Sequence, residues 1–200
     1  MSGSSTAVLD VEEFTPREQE ILDVCAELLT EIGYERLTID AVAARARASK
    51  ATIYRRWPGK PALVGAAVRH VTDTAHLAPD YTGDLRADLL ALITNARNRF
   101  VRQGRLMAGM VNAMQNDAEL ATLIRADIAR CKMTIDDLIG RYTGEGVITA
   151  PDADLIRQLA PATLLIRVLV TGEPVDDDLL HRLVDNVMLP LLAPGHFGCR

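Results

Sequence analysis

Residues 38–63 run Thr38-Ile39-Asp40-Ala41-Val42-Ala43-Ala44-Arg45-Ala46-Arg47-Ala48-Ser49-Lys50-Ala51-Thr52-Ile53-Tyr54-Arg55-Arg56-Trp57-Pro58-Gly59-Lys60-Pro61-Ala62-Leu63. Thr38 and Ser49 stand where N-caps belong, because a hydroxyl oxygen can accept from the open N–H groups of a first helical turn. Ile39, Val42, Ala43 and Ala46 share the apolar side of a helix over 39–46. Ile53 and Trp57 lie four apart on a helix over 50–57. Two short helices parted by about three residues form a helix-turn-helix, crossing at roughly 90–120°. Pro58-Gly59 breaks the chain, and Lys60-Pro61 opens a further helix to about residue 75.

Upstream, Thr15-Pro16-Arg17-Glu18 combines a cap, a proline suited to the first helical position and a glutamate that completes a capping box. Ile21, Leu22, Cys25, Leu28, Leu29 and Ile32 then share one face, and Gly33 is a stop signal. Downstream, the apolar spacing predicts five helices, over about 84–102, 105–115, 117–142, 152–171 and 177–192. Pro161 should kink the fourth of these, and Asp176-Asp177-Asp178 opens the last with charges that favour a helix N-terminus. The expected fold is all-α, about nine helices. It divides into a disordered tail (1–13), a three-helix helix-turn-helix domain (14–59), a connecting helix (60–78) and a helical ligand-binding and dimerisation domain (79–200).

Composition agrees. The 200 residues are 48% hydrophobic, 24% charged and only 4% aromatic, a globular profile that favours helices over sheets. No apolar run reaches the ~18 residues of a membrane span, and the N-terminus lacks the basic and apolar regions of a secretory signal. Cys25, Cys131 and Cys199 are scattered and form no CxxC pair, which excludes a disulfide framework or zinc knuckle and fits a reducing cytoplasm.

The net charge of −5 would not by itself suggest a nucleic-acid partner. Its distribution does. Residues 45–70 hold Arg45, Arg47, Lys50, Arg55, Arg56, Lys60 and Arg69 and no Asp or Glu, while the segments on both sides are acidic. A run of charge is often only a solvated face. Here, with Ile53 and Trp57 turned inward, Lys50, Thr52, Tyr54, Arg55 and Arg56 must point elsewhere. Thr, Lys and Arg suit base edges; Ser, Tyr and Arg suit phosphates. Lys60 adds a cation beside the open N–H groups of a helix start.

These residues resemble the DNA-binding signature of the tetracycline-repressor (TetR) family, roughly T-x-x-x-[IV]-A-x-x-A-G-V-S-x-x-x-[IL]-Y-x-[HR]-[FW]-x-x-K-x-x-L. The matches are Thr38, Val42, Ala43, Ala46, Ser49, Ile53, Tyr54, Arg56, Trp57, Lys60 and Leu63. Arg47 replaces the usual glycine and Ala48 a common valine. The resemblance implies a cytoplasmic homodimer that binds a palindromic double-stranded DNA operator and represses a neighbouring transcription unit. It also implies a small-molecule inducer held in the C-terminal body, and dimerisation through the last two long helices. On it, Tyr54 and Lys60 contact phosphate, Thr38 caps its helix and touches the DNA backbone, and Lys50, Thr52 and Arg55 reach base edges. Read from their own side chains and positions rather than from the resemblance, Arg47, Ser49 and Arg56 complete the expected DNA-binding set. The body, with Asn116-Asp117-Ala118-Glu119-Leu120 opening one helix and Leu165 to Pro174 closing another, resembles an actinobacterial type of TetR C-terminal domain.

From the residues themselves, the last two helices carry more Leu, Ile and Val than one subunit can bury. Leu159, Ala162, Thr163, Ile166, Val170, Leu180, Val184, Val187 and Leu191 are the candidates for a two-fold interface. Phe100, Met107, Met110, Met114, Leu123 and Leu164 are candidates for an apolar pocket, because methionine adapts to varied ligands, although such a stripe also suits plain core. Arg167, set among apolar residues, needs an acidic partner: a ligand, or Asp127 or Asp185. His70, Asp73 and His76 could share a helix face but lack the usual spacing of a metal pair, so no metal site and no cofactor are expected. The thiols have no activating neighbours in sequence. No HExxH, GxSxG, P-loop or dinucleotide turn occurs, which argues against an enzyme. An activator, or a regulator working through a protein partner, stays open as the alternative.

Overall fold

The chain enters its first helix, α1 (Pro16–Arg36), through a reciprocal cap: Thr15 Oγ1 accepts from the Glu18 N–H at 3.3 Å, and the Glu18 carboxylate accepts from the Thr15 N–H at 2.8 Å. Gly33, at φ 77°, leaves the helical path near its end, so the stop signal acts as a kink and three more residues follow it. The computed structural model describes residues 14–72, 81–146 and 153–192. Among these the elements are α2 (Ile39–Arg45), α3 (Lys50–Arg56), α4 (Lys60–Thr72), α5 (Leu85–Asn116), α6 (Ala118–Gly144), α7 (Ala153–Leu165), a π-helical segment (Ile166–Thr171), α8 (Asp177–Leu183), a second π-helical segment (Val184–Met188) and α9 (Leu189–Leu192). No strand occurs among the described residues. The expected tail 1–13 and the end of the connecting helix beyond Thr72 lie outside the described residues.

The capping expectations match the structure. Thr38 accepts from the Ala41 N–H at 3.1 Å and Ser49 from Thr52 at 3.1 Å. Asp176, expected only as a charge near a helix start, is also a cap, accepting from Leu179 at 2.9 Å. Two expectations are not met. The helices anticipated over 84–102 and 105–115 are one helix, α5, which runs through Gly104. A mid-helix glycine costs roughly 0.5–1 kcal/mol relative to alanine, but here it serves a close approach. A Cβ at position 104 would lie 2.9 Å from Val168 Cγ1 and 3.2 Å from Leu169 Cδ2. Glycine therefore lets the first π segment lie against α5. The helices anticipated over 152–171 and 177–192 also differ. Each begins as α-helix and widens to a π-helix, the first beyond Pro161.

Two apolar cores result. The first joins α1–α4 to the C-terminal half of α5 and the start of α6, with Leu22, Val42, Ile53, Trp57, Leu63 and Leu120 buried. The helix-turn-helix thus shares its core with the body. The second joins the start of α5 and the end of α6 to α7, α8 and α9, through Leu89, Ile93, Tyr142, Leu164, Val184 and Leu192. Burial pushes the Cys25 thiol, inside the first core, up to about 12. That thiol is inert.

The second core contains a carboxylate, Asp88, with no exposed surface. It accepts from the hydroxyls of Tyr142 and Thr82, each at 2.6 Å, and from the Thr82 N–H at 3.2 Å. Burial alone would raise its pKa, but these donors outweigh burial and hold it below the usual carboxylate range. A lowered folded-state pKa means stability that is present above the unfolded value, about pH 4, and lost as pH falls through the folded value. Asp88→Asn is therefore expected to lower stability at pH 7 by about 1–3 kcal/mol and to flatten its fall with acid. Urea unfolding between pH 2 and 7 checks both.

Candidate nucleic-acid interface

The turn between α2 and α3 is closed by the Ala48 N–H donating to Ala43 C=O at 2.9 Å and the Arg47 N–H to Ala44 C=O at 3.3 Å. Arg47 sits at φ 49°, the left-handed region that glycine adopts without a Cβ penalty. A feature that sequence spacing does not show supports it. Arg17, in the first turn of α1, donates from one nitrogen to the carbonyls of Ala46 at 2.8 Å and Arg47 at 2.9 Å. Its role has no local signal, since the partners lie about 30 residues away and only the α1–α2 packing brings them together. Arg47→Gly should raise stability by about 1 kcal/mol by removing the left-handed strain, while weakening DNA binding if the Arg47 side chain meets a phosphate. Thermal melting and a DNA titration read the two effects separately.

Buried Ile53 and Trp57 fix the rotation of α3 and leave its other face outward. Tyr54 is 50% exposed, and Arg55, Lys50, Ser49, Arg47 and Thr38 are exposed. Thr52 is half-buried, its hydroxyl 2.8 Å from that of Ser49. Arg56 is turned toward α1, with Nε 3.0 Å from Glu18. Lys60 Nζ lies 4.1 Å over the Tyr34 ring and donates to Glu35 C=O at 3.4 Å.

The island that lacks acids in sequence does not lack them in space. Asp40 lies 2.8 Å from Lys50, and Glu31 2.8 Å from Arg45. The hydrogen bond and charge of Asp40 raise the Lys50 pKa and keep it protonated. Exposed ion pairs of this kind contribute about 0–1 kcal/mol. A DNA phosphate or base edge can therefore replace the carboxylate at small cost.

A polar joint links this unit to the body. The Tyr34 hydroxyl donates to Asp117 at 2.5 Å, and Asp117 also caps α6 by accepting from the Leu120 N–H at 3.0 Å. That backbone N–H, together with Tyr34, lowers the Asp117 pKa; burial and Asp117 raise that of Tyr34.

Within the body, α4, α5, α6 and α7 enclose a cavity of about 510 Å³. Phe100, Met107, Met110 and Met114 line it. Three other pocket candidates lie elsewhere. Leu123 packs on Gly65 of α4, and Leu164 belongs to the second core. Arg167 is neither buried nor bonded to Asp127 or Asp185: it donates to Pro174 C=O at 2.9 Å and pairs with Glu173 at 3.3 Å. Asp185 instead holds Arg86 at 2.7 Å. Chain reversal accounts for the misplacement: Gly172, at φ 66°, turns the chain so that Glu173 and Pro174 meet Arg167 at the end of its helix.

The dimer candidates divide. Ile166 and Val170 are 50% and 72% exposed, Ala162 is exposed, and Leu159, Thr163, Val187 and Leu191 are half-buried. Leu180 and Val184 face inward and belong to the subunit's own second core, which corrects their place among the interface candidates. Leu155, 52% exposed, extends the outward strip. His70 pairs with Asp23 at 3.0 Å; its suggested partners Asp73 and His76, and Cys199, lie outside the described residues, as does the Cys131 side chain.

Known proteins resemble both halves of the chain. The sequence profile described as "Bacterial regulatory proteins, tetR family" matches residues 21–67. The profile described as "Tetracyclin repressor-like, C-terminal domain" matches residues 78–187. An uncharacterized HTH-type transcriptional regulator of Mycobacterium tuberculosis is 39% identical over 187 residues, covering 92% of each chain. The DNA-binding transcriptional repressor TetR of Mycobacteroides abscessus is 36% identical over 90% of this chain and 95% of its own. The crystal structure of the TetR family transcription regulator SCO0332, 33% identical, superposes with a TM-score of 0.67 over 90% of this chain and 100% of the other.

Proposed function

This chain belongs to the tetR family of bacterial regulatory proteins, and we propose that it is a repressor that binds a palindromic operator as a cytoplasmic homodimer and leaves it when a small molecule enters the body. Membership places it among DNA-binding transcription regulators and not among enzymes. The observation that carries the finer reading is the outward face of α3. Lys50, Tyr54 and Arg55 present donors to solvent, with the half-buried Thr52 beside them, while Ile53 and Trp57 anchor the helix from behind. The first residues of such a helix reach base edges in a major groove, and a dimer reads two half-sites ~34–36 Å apart.

Two further features support the rest. The strip Leu155, Ala162, Ile166 and Val170 offers an apolar surface to a second copy. The cavity touches α4 through Val68 and Thr72, and α4 begins at Lys60, beside the recognition unit. A ligand that binds better to a conformation with α4 displaced shifts the population toward that state and moves the two α3 helices out of register. Selection of genomic fragments by the purified protein, followed by footprinting of the best one, tests this. The expected footprint is two-fold symmetric and lies beside a transcription start. A single unsymmetric half-site, or a site whose occupation raises transcription, would overturn the dimeric repressor.

A further inference from the structure

The cavity has an unusual balance of lining groups. Its wall is aliphatic and methionine-rich, and its polar liners among the described residues are Thr72, Arg99, Asp127 and Gln158. The Thr72 hydroxyl is turned back on its own helix, donating to Val68 C=O at 2.7 Å. Gln158 is exposed, as are Val111, Ile128 and Ala162, so these four mark the mouth. That leaves one base, Arg99, and one acid, Asp127, of which Asp127 is 8% exposed. Both are already engaged by interactions within the chain.

We propose that the cavity takes an uncharged, largely apolar molecule bearing one hydrogen-bonding group, such as an alcohol, ketone or ester, and discriminates against ions of either sign. The proposal rests on the reading that this cavity is the effector site. Among the described residues the formal charges of the lining cancel. A ligand with a net charge would bring an uncompensated ion into an apolar enclosure, at a desolvation penalty that only an unmatched opposite charge could offset. A neutral ligand buries its apolar body against Phe100, Met107, Met110 and Met114 at no such penalty. The volume suits a small molecule; ligand pockets span about 300–1,000 Å³.

The test uses the full chain without DNA and three ten-carbon probes: decan-1-ol, decanoate and decylammonium. Titration calorimetry at pH 7 should show decan-1-ol bound at least about tenfold more tightly than either ion. Each methylene added to the alcohol should tighten binding about fourfold until the cavity is full. The near-isosteric Asp127→Asn leaves the lining with a net positive charge and should favour decanoate over decylammonium by about tenfold; Arg99→Gln should reverse that order. Either ion binding as tightly as the alcohol, an order unchanged by both variants, or no binding of any probe would overturn the proposal. Because binding is read without DNA, the outcome is independent of repression. An alcohol that binds as described yet leaves the protein on its operator would uphold the ligand class and refute the release mechanism.

Discussion

Replacing Ile166 and Val170 together by Asp is expected to give a folded monomer whose affinity for an operator is about 100-fold lower, or weaker still. Both side chains project outward from the first π-helical segment and are half or more exposed in the single chain, so aspartate there meets water in the monomer. In a two-fold dimer the same substitution places four carboxylates in an apolar contact, an arrangement that desolvation and like-charge repulsion oppose. Joining two DNA-reading units raises overall affinity by about 10²–10⁴ over one alone, and that gain is what the monomer loses. Sedimentation and a DNA titration on the same preparation decide it. A variant that stays dimeric shows that the two-fold contact lies elsewhere.

Lys50→Ala is expected to lower affinity for the selected operator by about 1–3 kcal/mol per half-site, with little change on unrelated DNA. Lys50 is the first residue of α3, where a recognition helix meets base edges. Its pairing with Asp40 at 2.8 Å does not compete strongly, because both side chains are well exposed. Competition between the operator and scrambled duplexes measures the effect. An equal loss on every sequence would make Lys50 a phosphate contact instead.

Much of this architecture was legible in the residues, and the reasons are local. Caps at Thr15, Thr38 and Ser49 bond within three residues, so their signal needs no tertiary knowledge. Ile53 and Trp57 are buried for the same reason: their spacing is helical and α3 is short. What escaped is long-range. Gly104 resembles a break until Val168 is seen to occupy the space where its side chain would be. Arg167 resembles a buried cation until the turn at Gly172 brings Glu173 and Pro174 beside it. The basic island lacks acids along the chain, yet Asp40, Glu31 and Glu18 pack beside it from α2 and α1. Arg17, which braces the turn, carries no motif. Four of the pocket candidates meet at the cavity because they lie on one stretch of a single helix, α5; Leu123, Leu164 and Arg167, on other elements, do not.

On the proposed function, the outward face of α3, presented twice by a dimer, holds DNA. The most direct measurement is the dissociation constant on the selected fragment from low to high salt, for the native chain and for Lys60→Ala. Affinity should fall steeply and log-linearly with salt, with a slope smaller by about one for each half-site in the variant. Binding that is insensitive to salt, or a variant with unchanged affinity and slope, would contradict it.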